Sequence, residues 1–396
     1  MTMAAAIESR TAETIAWSTP SRIAGVEIIH DLAAAETVWR GLEQQTLSCT
    51  PFQRFDFLKP WQRQVGEREG LSPFIVVARD SDERPLLLLP LALKHAYGAR
   101  CAVFMGGKHA TFNMALWDEE FAAAATRADL DNLIAAVSAH GKADVLALCQ
   151  QPSRWRDLQN PMALLPHQAS VNDCPLLTME SGAAPAALIS NSFRRRLKGK
   201  ERKLQSLPGY RYHAATDDAE IARLLDWFFR VKPRRMAEQK LPDVFAEPGV
   251  EDFIRAACMT PLAGGGRVID IHALECDEEV IAIFAGVADG NRFSMMFNTY
   301  TISANSKYSP GLILMRNIID HYAAQNYRAF DLGIGSDEYK RLFCKSDEPI
   351  FDSFVPLSLR GKLAAGAISA VSRAKRSVKH NPALLEIAQN LRAMFR

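Results

Sequence analysis

Two periodicities alternate along the chain. Short apolar or alternating runs carry the strand signature, and longer stretches with apolar residues at i, i+3, i+4 and i+7 carry that of a one-faced helix. Apolar runs at 73–78 and 85–93 flank a polar turn at 79–84, which predicts a hairpin. A third run at 101–105 ends at Gly106-Gly107. Residues 129–140 then place Leu130, Leu133, Ile134 and Val137 on one helical face, with Asp129 positioned to cap, and 143–149 reads as a strand. The plan recurs. Strands at 267–275 and 279–288 flank a turn, 291–300 is a third strand, 309–325 is a helix with Leu312, Met315, Ile319 and Tyr322 on one face, and 327–333 is the next strand. Helical stripes precede each hairpin, at 31–45 in the first half and at 192–206 and 218–231 in the second. One order of elements used twice, with almost no residue identity, predicts a mixed α/β protein of two similar domains. They are expected at 25–175 and 185–358, after a flexible leader at 1–24 and before a helical tail at 359–396.

Composition narrows the class. With 48% hydrophobic and 23% charged residues the chain is neither disordered nor a fibrous repeat. The longest apolar run, 86–93, contains Pro90 and falls far short of the ~20 residues of a spanning helix. Seven scattered cysteines without a CxxC pair argue against zinc and disulfides and for a reducing, cytoplasmic setting. The net charge of +2 hides two basic elements, 192–203 and the segment from Arg360 onward, on an otherwise acidic body. Neither interleaves aromatics, which argues against nucleic acid. The tail, apolar at 364–371 and basic at 373–379, reads either as a peripheral anchor to an anionic membrane or as a solvated helix packed on its domain.

The richest local chemistry lies at the second helix. Ser309 is a candidate cap, Pro310 suits the first helical position, and Gly311 lets a ligand approach a helix start that favours anions. Lys307 and Tyr308 stand just before it. After the helix, Phe330-Asp331-Leu332-Gly333-Ile334-Gly335 takes a strand into a glycine turn, and Ser336 is a candidate cap for a short helix with Tyr339 and Lys340 in its first turn. Asp270 and His272 share a strand face, and Arg234, Arg235 and Lys240 follow a helix where an anionic or sugar ligand would find them. His109 and His213 have no metal-ligand partner at a recognisable spacing, and no metal is expected.

Ser309-Pro310-Gly311-Leu312, Phe330-Asp331-Leu332-Gly333-x-Gly335 and Tyr339-Lys340 resemble the GNAT superfamily of acyl-CoA-dependent N-acyltransferases. More closely they resemble its CelD-like double-GNAT group, associated with cellulose and exopolysaccharide synthesis in bacteria. The resemblance runs from about residue 28 to 354 and includes the basic stretch Phe193-Arg194-Arg195-Arg196-Leu197. It implies two tandem GNAT-like domains, each a mixed sheet flanked by helices, the first degenerate and helping to form the acceptor cleft. It implies acetyl-CoA or another acyl-CoA as donor, held by Lys307, Tyr308, Ser309, Gly311, Leu312 and Lys340, between strands 291–300 and 327–333 that splay apart. The usual Arg/Gln-x-x-Gly-x-Gly/Ala pyrophosphate loop is absent; only Gly311 stands near its end.

Amide formation from a thioester needs a base for the amine and an acid for the leaving thiolate. The resemblance points to Tyr339 as acid, with packing on the sheet as its alternative. Asp331 or Glu338 is the candidate base, directly or through water, with capping of the local turn as the alternative for Asp331. Asn298 and Tyr300 would touch the acyl group or the acceptor, with His272 and Arg234 on the acceptor side. The acceptor implied is an amino sugar of an envelope polysaccharide or glycolipid precursor. A FemABX-like aminoacyltransferase and a non-catalytic module on a polysaccharide synthase are the alternatives.

Overall fold

The computed structural model describes residues 21–45, 49–180, 185–335 and 337–381. The leader up to residue 20, Gly182 at the expected boundary, the Ser336 cap and the tail beyond Asn381 lie outside them. Among the described residues thirteen strands of three or more residues carry the architecture. The first five are β1 (Gly25–Ile29), β2 (Ser72–Arg79), β3 (Pro85–Ala96), β4 (Ala99–Phe104) and β5 (Val145–Pro152). Then come β6 (Cys174–Thr178), β7 (Arg211–Ala214), β8 (Asp270–Glu275), β9 (Val280–Ala288) and β10 (Arg292–Tyr300). The last are β11 (Ala329–Asp331), β12 (Ser346–Glu348) and β13 (Ile350–Pro356). They form two large sheets, ordered β1-β2-β3-β4-β5-β13 and β7-β8-β9-β10-β11-β6-β12, the first extended by short strands at Leu116–Trp117 and Gln168–Ala169.

The repeated plan is visible in the ladders. Each sheet is antiparallel up to one parallel pair, β4 with β5 and β10 with β11. Beyond that pair the halves exchange strands. β13, from the end of the chain, pairs with β5, while β6 pairs with β11. The segments 25–175 and 185–358 are therefore not the boundaries of the two sheets. Both traded strands are short and apolar, so periodicity alone cannot name their partners.

Among the described residues the α-helices of seven or more residues are α1 (Leu32–Gln45), α2 (Phe55–Trp61), α3 (Arg127–Ala139), α4 (Asn191–Leu204), α5 (Asp218–Glu238), α6 (Val250–Met259), α7 (Pro310–Ala324) and α8 (Leu359–His380). Thr126, not Asp129, caps α3. Its hydroxyl accepts from the Asp129 amide while the Asp129 carboxylate accepts from the Thr126 amide, a capping box that starts the helix earlier than Asp129 alone would. α5 continues past Val231 to Glu238, and its apolar stripe stops there because Arg234, Ala237 and Glu238 face solvent. α7 and α4 cover one face of the second sheet, where Ile313, Leu314, Ile318 and Phe330 form a core with Phe193 and Leu197. A larger core joins the halves; Phe57 on α2 meets Phe253 on α6 edge-on at 5.3 Å. At this seam Gly249 has φ +81°, and a Cβ there would lie 1.8 Å from the Gln64 carbonyl oxygen, so only glycine permits the approach. Among the described residues no helix is long and apolar enough to cross a membrane.

Candidate acyl-transfer site

The site begins where two strands part. β10 and β11 pair through Arg292–Ala329, Phe293–Phe330 and Ser294–Asp331; β11 then ends, while β10 runs on to Tyr300. Within β10 the register slips between Ala285–Phe297 and Gly286–Met295, so Met296 is an extra residue, and such a bulge bends its strand. Past Asp331 the chain turns through Gly333, at φ +70°. The result is a gap between β10 and the turn.

Asp331 closes the base of the gap. Fully buried, it takes Arg292 Nε at 2.7 Å and the Gly333 amide at 3.0 Å, and Ser294 Oγ also donates to it. Both its oxygens are engaged, so it fastens the turn and is withdrawn as a candidate base. Arg292 also reaches Glu348 at 2.6 Å and lies over the rings of Phe112 and Trp155 from the first half. Lys340 is likewise turned inward. Its ammonium donates to the carbonyls of Gly333 at 3.2 Å and Ile334 at 2.9 Å, which corrects its expected place as a donor-binding cation. Burial lowers its proton affinity.

The helix start is built differently from the expectation. Ser309 is left-handed, at φ +57° and ψ +51°, and makes no side-chain cap. Its hydroxyl instead accepts from Lys200 Nζ of α4 at 2.7 Å. The amides of Leu312 and Ile313 both donate to Ser309 O, which removes Leu312 as a ligand donor and leaves Gly311 as the amide with no carbonyl a turn earlier within the helix. Lys200 thus brings a cation to the positive end of α7, an arrangement suited to a phosphate. Tyr300 packs against Gly311, and the Arg235 guanidinium stacks 3.5 Å above the Tyr300 ring. Lys307 is exposed and lies over the ring of the half-buried Tyr308.

Two expected residues meet at the gap: the Asn298 side chain of β10 lies beside the Tyr339 hydroxyl and favours its ionised form. Burial pushes that phenol up to about 12, with the Asn298 amide pulling the other way, so it stays protonated at neutral pH. Lys232 of α5, which sequence reasoning passed over, donates to the Asn298 carbonyl at 2.9 Å. Burial, reinforced by nearby Arg235, lowers it to about 8. Other expectations separate. Arg234 and Glu338 are exposed, and Arg234 leaves the ring contact to Arg235. His272 is buried between the hydroxyls of Tyr212 and Tyr322, each at 3.0 Å, and burial drops it to about 3. It is a core histidine, not an acceptor contact. His213, Glu220 and Glu275 also gather closely, but Arg211 and Arg223 already bond Glu275.

On the side facing the first half the gap opens into a pocket of about 340 Å³. Met295, Met296 and Phe297 of β10, Leu332 to Ile334 after β11, and Phe253 and Ile254 of α6 line it; Lys108, His109 and Thr111 come from the first half. The Trp61 indole N–H donates to His109 Nδ1 at 3.1 Å, which places the proton of the neutral imidazole on Nε2. Burial lowers His109 to about 4, so it stays neutral.

Residues 191–341 match the family described as an acetyltransferase (GNAT) domain. The match covers 151 of the 396 residues, all of them in the second half. It contains α4, Lys200, the parted strands and Tyr339. Among solved structures, FemX is similar over 85% of this chain and 98% of its own, at 7% identity and a TM-score of 0.56. A conserved protein of unknown function from Bacteroides thetaiotaomicron follows the fold over 84% and 100%, at 11% and 0.52. The C-terminal DUF2156 domain of a lysylphosphatidylglycerol synthetase candidate from Agrobacterium fabrum does so over 86% and 96%, at 13% and 0.50. These likenesses concern the fold. No curated protein matches the sequence.

Proposed function

We propose that the GNAT domain transfers an acyl group from a coenzyme A thioester to an amine. The observation that carries this reading is the parting of β10 and β11 beside a helix start supplied with Lys200. The diphosphate would rest on the Gly311 amide and Lys200, and the pantetheine arm would enter the gap. The amine nitrogen attacks the thioester carbonyl, the C–N bond forms, and the C–S bond breaks. Lys232, whose proton affinity is near neutrality, takes the amine proton, and Tyr339 protonates the departing thiolate. Acetyl-CoA, the donor the motifs around Ser309 imply, is the first member of the donor series to assay. An amino sugar of an envelope or exopolysaccharide precursor is the acceptor class, supported by the CelD-like resemblance of the motifs around Ser309 and Phe330.

Incubation with acyl-CoA and a panel of amino sugars, followed by free thiol, tests the reading. Tyr339→Phe is expected to lower kcat by about 10² to 10⁴-fold. Turnover should rise with pH through about 8, and Lys232→Met should abolish that limb. Absence of thiol release with every donor and acceptor would defeat the proposal.

We also place α8 on an anionic lipid surface. Its inner face, Gly361, Ala364 and Ala365, packs on the first sheet, while Leu359 and Leu363 are 79% and 80% exposed. Arg360, Lys362, Arg373 and Lys375 are exposed on the same helix, which contains no acidic residue. Leu363→Glu should weaken co-sedimentation with phosphatidylglycerol vesicles; unchanged sedimentation removes the idea.

A further inference from the structure

The pocket at the strand gap has a size and lining that acetyl transfer does not use. It holds about 340 Å³. At roughly 30 Å³ for each water-sized group, that is room for about ten methylenes, where an acetyl group fills two or three. Its walls are Val244, Phe245, Val250, Phe253, Ile254 and the methionines of the β10 bulge. Polar side chains are confined to Lys108, His109, Thr111 and Lys340. Of these, Lys340 is tied to the Gly333 and Ile334 carbonyls and His109 is held neutral by burial, its Nδ1 taken by Trp61. A cavity of this lining favours an unbranched apolar guest over a charged one. Met296 of the bulge and Gly333 of the turn both line it, so it adjoins the point where the strands separate, which a thioester carbonyl carried down the gap would reach.

We infer that the donor is a medium-chain acyl-CoA, of about six to ten carbons, whose alkyl chain fills this pocket while the thioester stays at the gap. This rests on the acyl-CoA reading above and specifies its donor. The chain lies among side chains of both halves, so the first half takes part in donor selection through Lys108, His109 and Thr111, the residues that ring the pocket on its side.

The test is a donor series from acetyl-CoA to dodecanoyl-CoA, measured with the full chain by thiol release and by tryptophan fluorescence binding. kcat/KM should rise about fourfold per added methylene up to about eight to ten carbons and then fall. Ile254→Trp, which fills the pocket, should move the optimum down by several carbons. Because Ile254 is buried, Val244→Trp, on the partly exposed rim, provides a second variant with the same expected direction. If acetyl-CoA binds and reacts as well as decanoyl-CoA, the chain-length inference is overturned while the acyltransferase reading stands. If no CoA ester binds at all, both fall. An optimum that neither variant moves also overturns the inference, because the chain would then lie elsewhere.

Discussion

The two halves use one framework and finish it in opposite ways. In the first sheet β4 and β5 pair through Cys101–Val145, Ala102–Leu146 and Val103–Ala147, as many pairs as β10 makes with β11. Beyond them the space is filled. The Asn113 amide donates to Gln150 O at 3.0 Å, its side chain to Cys149 O at 3.1 Å, and Gln53 Nε2 holds the Phe112 carbonyl at 3.0 Å. Phe112 is fully buried there, beside Phe52 and Trp155. The following helices differ in the same sense. α3 opens with a capping box whose carboxylate, Asp129, also takes the Arg22 amide at 2.7 Å. α7 opens without a side-chain cap and with a lysine in attendance. A carboxylate at a helix start satisfies the amides from within; a lysine there leaves them for an external anion. The ligand site exists where local hydrogen bonding is left incomplete.

The comparison is broken most severely at Arg292. Arg292→Met strands Asp331 and Glu348 as buried carboxylates, and unfolding by urea should show a loss of about 3–5 kcal/mol. Acid comes next. His272 is held at about 3 against an ordinary value near 6.5, so the folded state binds fewer protons than the unfolded one between these values. Stability should be complete above pH ~6.5 and decline as pH falls toward 3. The decline should be shallower in His272→Gln, measured by urea midpoints across that range. In the first half, Gln53→Ala should cost about 1–3 kcal/mol by leaving the Phe112 and Asn113 acceptors unmet, with CoA affinity unchanged. The smallest effect is at the helix starts. Lys200→Met should raise the Kd for CoA about tenfold and flatten its salt dependence, whereas Asp129→Asn should leave CoA binding as it was; calorimetry at two ionic strengths decides.

The element order, the repeat and the proline-led helix start at Pro310 were legible because each is written in local periodicity or residue preference; the side-chain cap expected of Ser309 does not form. The exchange of β6 and β13 was not, since strand pairing is decided by shape across the molecule. Asp331 shows the limit for single residues. Its sequence context allowed a base or a turn anchor, and only Arg292 and Ser294, 39 and 37 residues away, select the anchor. Lys200 was visible as one charge in a basic run, but its meeting with Ser309 spans 109 residues. Lys232 gave no signal, because its lowered proton affinity comes entirely from burial and from Arg235 beside it.

The strand trade also governs how the chain comes apart. A nick near residues 181–184 leaves an N-terminal piece whose β5 has lost its neighbour and a C-terminal piece whose β11 has lost its own. Each would present a raw ladder of unmet amides, so neither piece should persist as a monomer, and the pair should reassociate when mixed. The intact protein should melt in one step, as a clasp rather than as two beads on a string.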